Sequence, residues 1–291
     1  MESSSNIESI NSAINSLYTS FIESFDSESL KSLDILAFID SKIIDNNFFS
    51  FLLGHQSESI LYIVNSFMLA YLIYYGVTYF FSHFSGNQVE SPFQFLIKFI
   101  ICAICVNSSY FICSQIINII SLISDYIKLI SIIPNINALS FYYLHKEISG
   151  VFLVYNNSSL NLFSFNGFLY LFSTMGFFNL LITYSYRYIL IKLLILLSPF
   201  FILSASLNST RWLFKMWLKN FISLLCIQIV VLLLMLVFSN LELGVSDTTT
   251  KLLYIASLLA IQKASSFVKD FSSGFTTDIT SGISSIKSIF Y

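Results

Sequence analysis

From Leu160 to Phe238 the chain is almost unbroken apolar sequence, interrupted by one basic-aromatic island, Arg211-Trp212-Leu213-Phe214-Lys215-Met216-Trp217-Leu218-Lys219. No soluble domain of this length can hide so much apolar surface, so the run calls for a bilayer. Composition agrees: 10% of the residues are charged and mean hydropathy is +0.77, where soluble domains carry about a quarter charged residues. The sequence therefore reads as an all-α, polytopic integral membrane protein. Only three prolines and nine glycines leave little room for long irregular regions. The heavy use of Ile, Phe, Tyr, Asn and Ser suggests an AT-rich bacterial genome, so aromatic richness is not by itself a binding signature.

A spanning helix needs about 20 mainly apolar residues. Ile60–Phe81 is the first clear candidate. The second opens on Ser91-Pro92-Phe93-Gln94, where serine can cap, proline suits the first helical position and Gln94 completes a capping box. It can run from Phe95 to about Ile123. A polar connection, Asp125 to Ser159, follows and is long enough for a short helix of its own. Phe221–Asn240 is another unambiguous span; Leu252–Gln262 is weaker, either a last span if extended to Val268 or a membrane-surface helix.

Residues 162–206 contain no turn signal, yet 45 helical residues would span roughly 67 Å, over twice the ~30 Å hydrocarbon thickness. One reading makes Arg187 and Lys192 a tight turn between two short spans, giving six spans. The other keeps one over-long helix, bent near Gly176 or Pro199, giving about five. The absence of Gly, Pro, Asn or Asp between Leu180 and Leu197 favours the long helix. Orientation follows from basic residues flanking the spans. With five spans and the N-terminus outside, Lys98, Arg211, Lys215, Lys219, Lys263, Lys269 and Lys287 are cytoplasmic. Lys31, Lys42, Lys128, Lys146 and Lys251 are outside. Splitting the long helix would move the dense basic island outside, which is a second argument against the split.

The resulting layout has five regions. Residues 1–57 form an acidic, amphipathic, extracytoplasmic segment, with Asn11–Phe25 read as a surface helix from Ile10, Ile14, Leu17, Phe21 and Phe25. No cleaved signal peptide is expected, because residues 1–40 lack a basic segment followed by an apolar stretch. Residues 58–124 hold two spans, 125–160 an extracytoplasmic loop, and 161–268 the helical core with an interfacial segment at 208–220. The Ser/Gly/Thr-rich residues 269–291 are expected to be a flexible cytoplasmic tail.

Within the island, Arg211, Lys215 and Lys219 repeat at i, i+4, i+8, and Asn208 or Ser209 can cap its start. Together with Trp212 and Trp217 they suit either a membrane-interface anchor, tryptophans at headgroup level and cations toward anionic lipid, or a docking site for a cytoplasmic partner. Arg187 and Lys192 are the residues most expensive to bury, at roughly 2.5–3.5 kcal/mol each near a helix centre. They either line a polar passage or snorkel, and no acid lies in any span to pair with them. The amides Asn65, Asn107, Gln115, Asn118, Asn179 and Gln228 suit helix-to-helix hydrogen bonds or pore lining.

The four cysteines (Cys102, Cys105, Cys113, Cys226) all lie in apolar runs and read as small hydrophobes. The three histidines, His55, His83 and His145, are expected in separate loops. No phosphate-binding loop, zinc-protease pair or nucleophile elbow is present, so no catalytic residues, cofactor or metal are expected. A net charge of −2 gives no footprint for sequence-specific nucleic-acid binding.

Leu197-Ser198-Pro199-Phe200-Phe201-Ile202-Leu203-Ser204-Ala205-Ser206, then Thr210-Arg211, Phe214, Trp217 and an apolar helix with Gln228, resemble the central signature of TrbL-type proteins. These are polytopic inner-membrane subunits of type IV secretion and conjugation machines. A weaker likeness follows in Gln262-Lys263 and Gly274. The likeness covers about 80 residues; the chain departs from the family in having Phe, Leu and Ile where members carry Gly and Ala. It implies a non-enzymatic structural or channel subunit in the bacterial inner membrane, present in several copies and working with separate ATPases to move a DNA–protein substrate. The rival reading is the permease subunit of a small-solute transporter, for which internal repeats and broken half-helices are the usual signs; no repeat relates the two halves of the chain.

Overall fold

The computed structural model describes residues 27–40, 59–85, 91–132, 139–153, 165–206, 210–239 and 248–289, with isolated positions 13, 14, 16, 17, 20 and 43. The described elements are all α-helices: α1 Ser27–Ala37, α2 Ile60–Ser85, α3 Pro92–Asn107, α4 Ser109–Ile132, α5 Phe141–Leu153, α6 Phe165–Leu196, α7 Ser198–Ser204, α8 Arg211–Ser239 and α9 Thr248–Ile289. Among the described residues, five segments are long and apolar enough to cross a membrane: α2, α6, α8, Ser109–Ile130 of α4 and Thr249–Val268 of α9. The chain is an all-α polytopic membrane protein.

The surface makes the same point physically. Phe67, Leu69, Ile73, Tyr74, Phe80, Phe81 and Phe84 of α2 are all more than half exposed, while only Leu61, Val64 and Met68 of that helix are buried. Exposed apolar area of this extent needs a hydrocarbon partner.

The long element is one unbroken helix through Arg187 and Lys192. α6 runs 32 residues, about 48 Å, and gives way at Leu197 to the seven-residue α7 with Pro199 in its first turn. The second span differs from expectation. It breaks at Ser108, although the amides of Ser108 and Ile112 still bond the carbonyls four residues back, so α3 and α4 adjoin without a loop. Pro92 opens α3 as expected, but the Ser91 hydroxyl makes no capping bond. α4 then continues to Ile132, into what reads by sequence as the polar connection, and that connection does carry a short helix, α5.

The island is not a separate element. It forms the first turns of α8, whose 29 residues run without interruption to Ser239. Residues 269–291, expected to be flexible, continue α9 as helix to Ile289; Phe271, Phe275, Ile279, Ile283 and Ile286 repeat at helical spacing there. His83 and His145 stand on α2 and α5 rather than in loops. His55, Asn208, Ser209 and most of Asn11–Phe25 lie outside the described residues, although positions 13, 14, 16, 17 and 20 are helical.

The chain forms two compact units. The first comprises residues 1–38, 122–188 and 226–271. In it α1 packs on α5 through buried Leu30, Leu33 and Ala37 against Phe141, Leu144 and Ile148. The second comprises residues 39–121, 189–225 and 272–291. In it α2, α3 and α7 pack together, with Phe95 stacked on Tyr75 at a centroid distance of 3.5 Å and Phe67 edge-on to Phe200.

Candidate functional site

In the first unit Arg187 is 4% exposed. Its Nη1 donates to the Ala37 carbonyl at 2.9 Å, and its guanidinium lies 5.7 Å from the Tyr184 ring centroid. Ala37 is the last residue of α1, where carbonyls lack helical partners and the helix dipole is negative. The burial cost of this cation is thus offset by a helix C-terminus, with an aromatic face beside it.

The same corner is held from other sides. Asp34 Oδ1 accepts from the Phe141 amide at 2.7 Å, so α1 caps the start of α5. Phe38 stacks on Phe141 at 5.9 Å, and Phe141 meets Tyr184 at 5.9 Å. Lys128 Nζ sits 4.8 Å from the Phe38 ring centroid. Burial pushes the Asp34 carboxyl up to about 6, against the opposing pull of the Phe141 and Tyr142 amides and of Lys128. His145, edge-on to Phe177 at 5.2 Å, is held below its usual range by burial.

Buried polar contacts tie the remaining helices of this unit. Gln228 Nε2 donates to Ser124 Oγ at 3.0 Å. Lys251 Nζ donates to Asn166 Oδ1, and Gln262 Nε2 to the Gly176 carbonyl, both at 3.0 Å. Asn166 and Gly176 ascend α6 as Lys251 and Gln262 ascend α9, so the two helices run parallel. A Cβ on Gly176 would collide with the Leu258 side chain; glycine here permits close helix approach.

The second unit holds the island and Lys192. The α6–α7 break leaves two carbonyls to satisfy. Pro199 has no amide for the Ile195 carbonyl, and the Ser198 hydroxyl donates to that oxygen at 2.7 Å. The Leu194 carbonyl, which the Ser198 amide would serve in an unbroken helix, accepts instead from Trp217 Nε1 at 3.0 Å. Trp217 is 2% exposed and lies among Phe201, Phe214 and Phe221 at 5.6–6.0 Å. Thr210 Oγ1 donates to the Ser204 carbonyl at 3.2 Å.

The island residues therefore divide. Trp217 is a packing residue at the helix break, while Arg211, Trp212 and Lys215 are exposed and Lys219 is half-buried. Lys192 is half-buried on α6. Of the amides, Gln228 bonds another helix, and Asn65 makes a long contact of 3.4 Å with Asn107. Gln115 and Asn179 are exposed, and Asn118 is half-buried. Sequence reasoning missed Asp34, Ala37 and Lys251 as members of polar contacts. Leu30, Leu33 and Ala37, spaced i, i+3, i+7, were the available sign that α1 has a buried face.

Among the described residues no three His, Cys, Asp or Glu side chains gather where they could hold a metal ion. No protein-family model, curated protein or solved structure matches the chain.

Proposed function

We propose that this chain is a non-enzymatic structural or channel subunit of a type IV secretion machine of the conjugative kind, embedded in a bacterial inner membrane with its N-terminus outside. The observation that supports this reading is the hydrogen bond from Trp217 to the Leu194 carbonyl. The two halves of the TrbL-like signature, Ser198-Pro199 and Phe214-x-x-Trp217, are 15 or more residues apart in sequence. They meet at one helix break, where proline opens the backbone, serine and tryptophan satisfy it, and Thr210 secures the connection. That pattern has a physical reason to recur as a set. In this reading the chain moves nothing by its own chemistry; ATPases of the machine supply the energy, and several copies assemble with them.

Markerless deletion tests it. Conjugative transfer should be abolished with growth intact, and the wild-type gene should restore it. Crosslinking of a tagged chain in membranes should recover the secretion ATPases. Undiminished transfer would overturn the reading. Recovery of a nucleotide-binding transport subunit or a solute receptor would replace it with the permease alternative.

A further inference from the structure

In the second unit Ile104, Asn107, Phe111, Gln115 and Ile119 recur at helical spacing along α3 and α4, and all are exposed. They form one outward stripe that is apolar except for its two amides. Asn65 of α2 borders it, itself exposed, with Nδ2 donating to Asn107 Oδ1 at a long 3.4 Å. Gln115 lies about 9 Å inside the Ser109–Ile130 span at the helical rise, and no charged residue stands between Lys98 and Asp125. Its side chain makes no hydrogen bond among the described residues. Asn107 turns a donor back to the Ala103 carbonyl of its own helix at 2.9 Å, and the Asn65 side-chain oxygen accepts nothing among the described residues. Acyl chains offer these groups neither donor nor acceptor, so the stripe is costly to leave against lipid.

We propose that this stripe is the docking face for a second copy of the chain, with the Asn107 and Gln115 amides hydrogen-bonding across the seam and Asn65 at its edge. Each primary amide carries two N–H donors and a carbonyl acceptor. A surface whose unmet groups are all amides is therefore complementary to itself, as a two-fold contact requires. The bilayer adds register. Every copy inserts to the same depth and in the same direction, so α3 and α4 of two copies run parallel, with Asn107 and Gln115 level with their counterparts. A foreign helix would need amides of its own at that depth, whereas a second copy brings them. Phe111, between the two amides, and Ile104 and Ile119 beyond them supply the packing that holds such a seam together. The proposal rests on the membrane class and not on the secretion reading, so either can fail without the other.

Site-specific photocrosslinking tests the face. Two full-length chains with different tags, each carrying p-benzoylphenylalanine in place of Phe111, are co-expressed and irradiated in membranes. A product of twice the chain mass bearing both tags should form, and far less of it when the photoreactive residue replaces Phe168, exposed on α6, instead. This reading uses a chain with all its amides and does not depend on any amide variant folding. Asn107→Leu with Gln115→Leu then tests the cause; it makes the helices more apolar and so favours insertion. That pair should raise the dimer dissociation constant in bilayers about tenfold, read by energy transfer between donor- and acceptor-labelled chains on dilution with lipid, with helicity by circular dichroism unchanged. Crosslinking to lipid alone, a product joined to a different protein, equal yield from position 168, or a dimer undiminished by the leucine pair would each overturn the proposal.

Discussion

Arg187 shows how a cation is carried within an apolar helix. Its Nη1 donates to the C-terminal carbonyl of α1, a backbone group that would otherwise be an orphan acceptor. Removing the guanidinium therefore strands that carbonyl. Arg187→Gln should cost about 1.5–3 kcal/mol locally, the range for hydrogen bonds to charged groups, and should raise hydrogen exchange across residues 34–40 more than elsewhere. Asp34 makes a second residue-scale prediction. Its carboxyl is raised from 3.8 to about 6 by burial, so the folded state holds the proton more tightly than the unfolded chain. The associated stabilisation is full below about pH 4 and is lost as pH rises through about 6. Thermal melts in detergent should show the first unit more stable at pH 4.5 than at pH 7.5, with the difference reduced in Asp34→Asn. The expense of Arg187 was legible in the sequence, but its partner was not. Ala37 lies 150 residues away, and a backbone carbonyl leaves no mark in residue identity.

The break between α6 and α7 is a device assembled from three residues at the scale of elements. Because the Ser198 hydroxyl serves the Ile195 carbonyl, the oxygen that an amide at position 199 would otherwise take, the two positions should be coupled. Ser198→Ala should cost about 1 kcal/mol in the wild-type chain and distinctly less in Pro199→Ala, where the restored amide can take the same oxygen; a double-mutant cycle reads this directly. Trp217→Phe keeps the ring contacts but loses the bond to Leu194, at about 0.5–1.5 kcal/mol. The α6–α9 seam offers an opposite case of crowding. Gly176→Ala places a methyl group against Leu258 and should destabilise by about 1–3 kcal/mol, with partial rescue by Leu258→Ala in the same melts. The existence of these helices was readable from apolar periodicity and length. Their joints were less so: Pro199 announced a bend, whereas nothing in Val106-Asn107-Ser108-Ser109 announced the break at Ser108.

Across the whole molecule, the parallel run of α6 and α9 requires the chain to cross once between them, and α8 supplies that crossing. Five spans place the two termini on opposite sides of the membrane. Reporter fusions at residues 1 and 291 should accordingly report opposite compartments, and cysteines placed at 130–158 should label from outside in intact cells; termini on one side would defeat the five-span topology. Membrane class, the count of five spans and the uninterrupted passage through Arg187 were determined by the sequence alone. Bilayer insertion depends on the sum of local transfer energies along a helix, and that sum can be read residue by residue. Only the tertiary structure decided that Arg187 caps the end of α1, that Trp217 is buried and satisfies a carbonyl at the broken helix, and that Lys98 and Arg211 border one cleft. Those outcomes depend on which distant backbone groups and side chains are brought within hydrogen-bonding or packing distance. Hydropathy is indifferent to that choice, since every apolar face is equally content against lipid or against another helix.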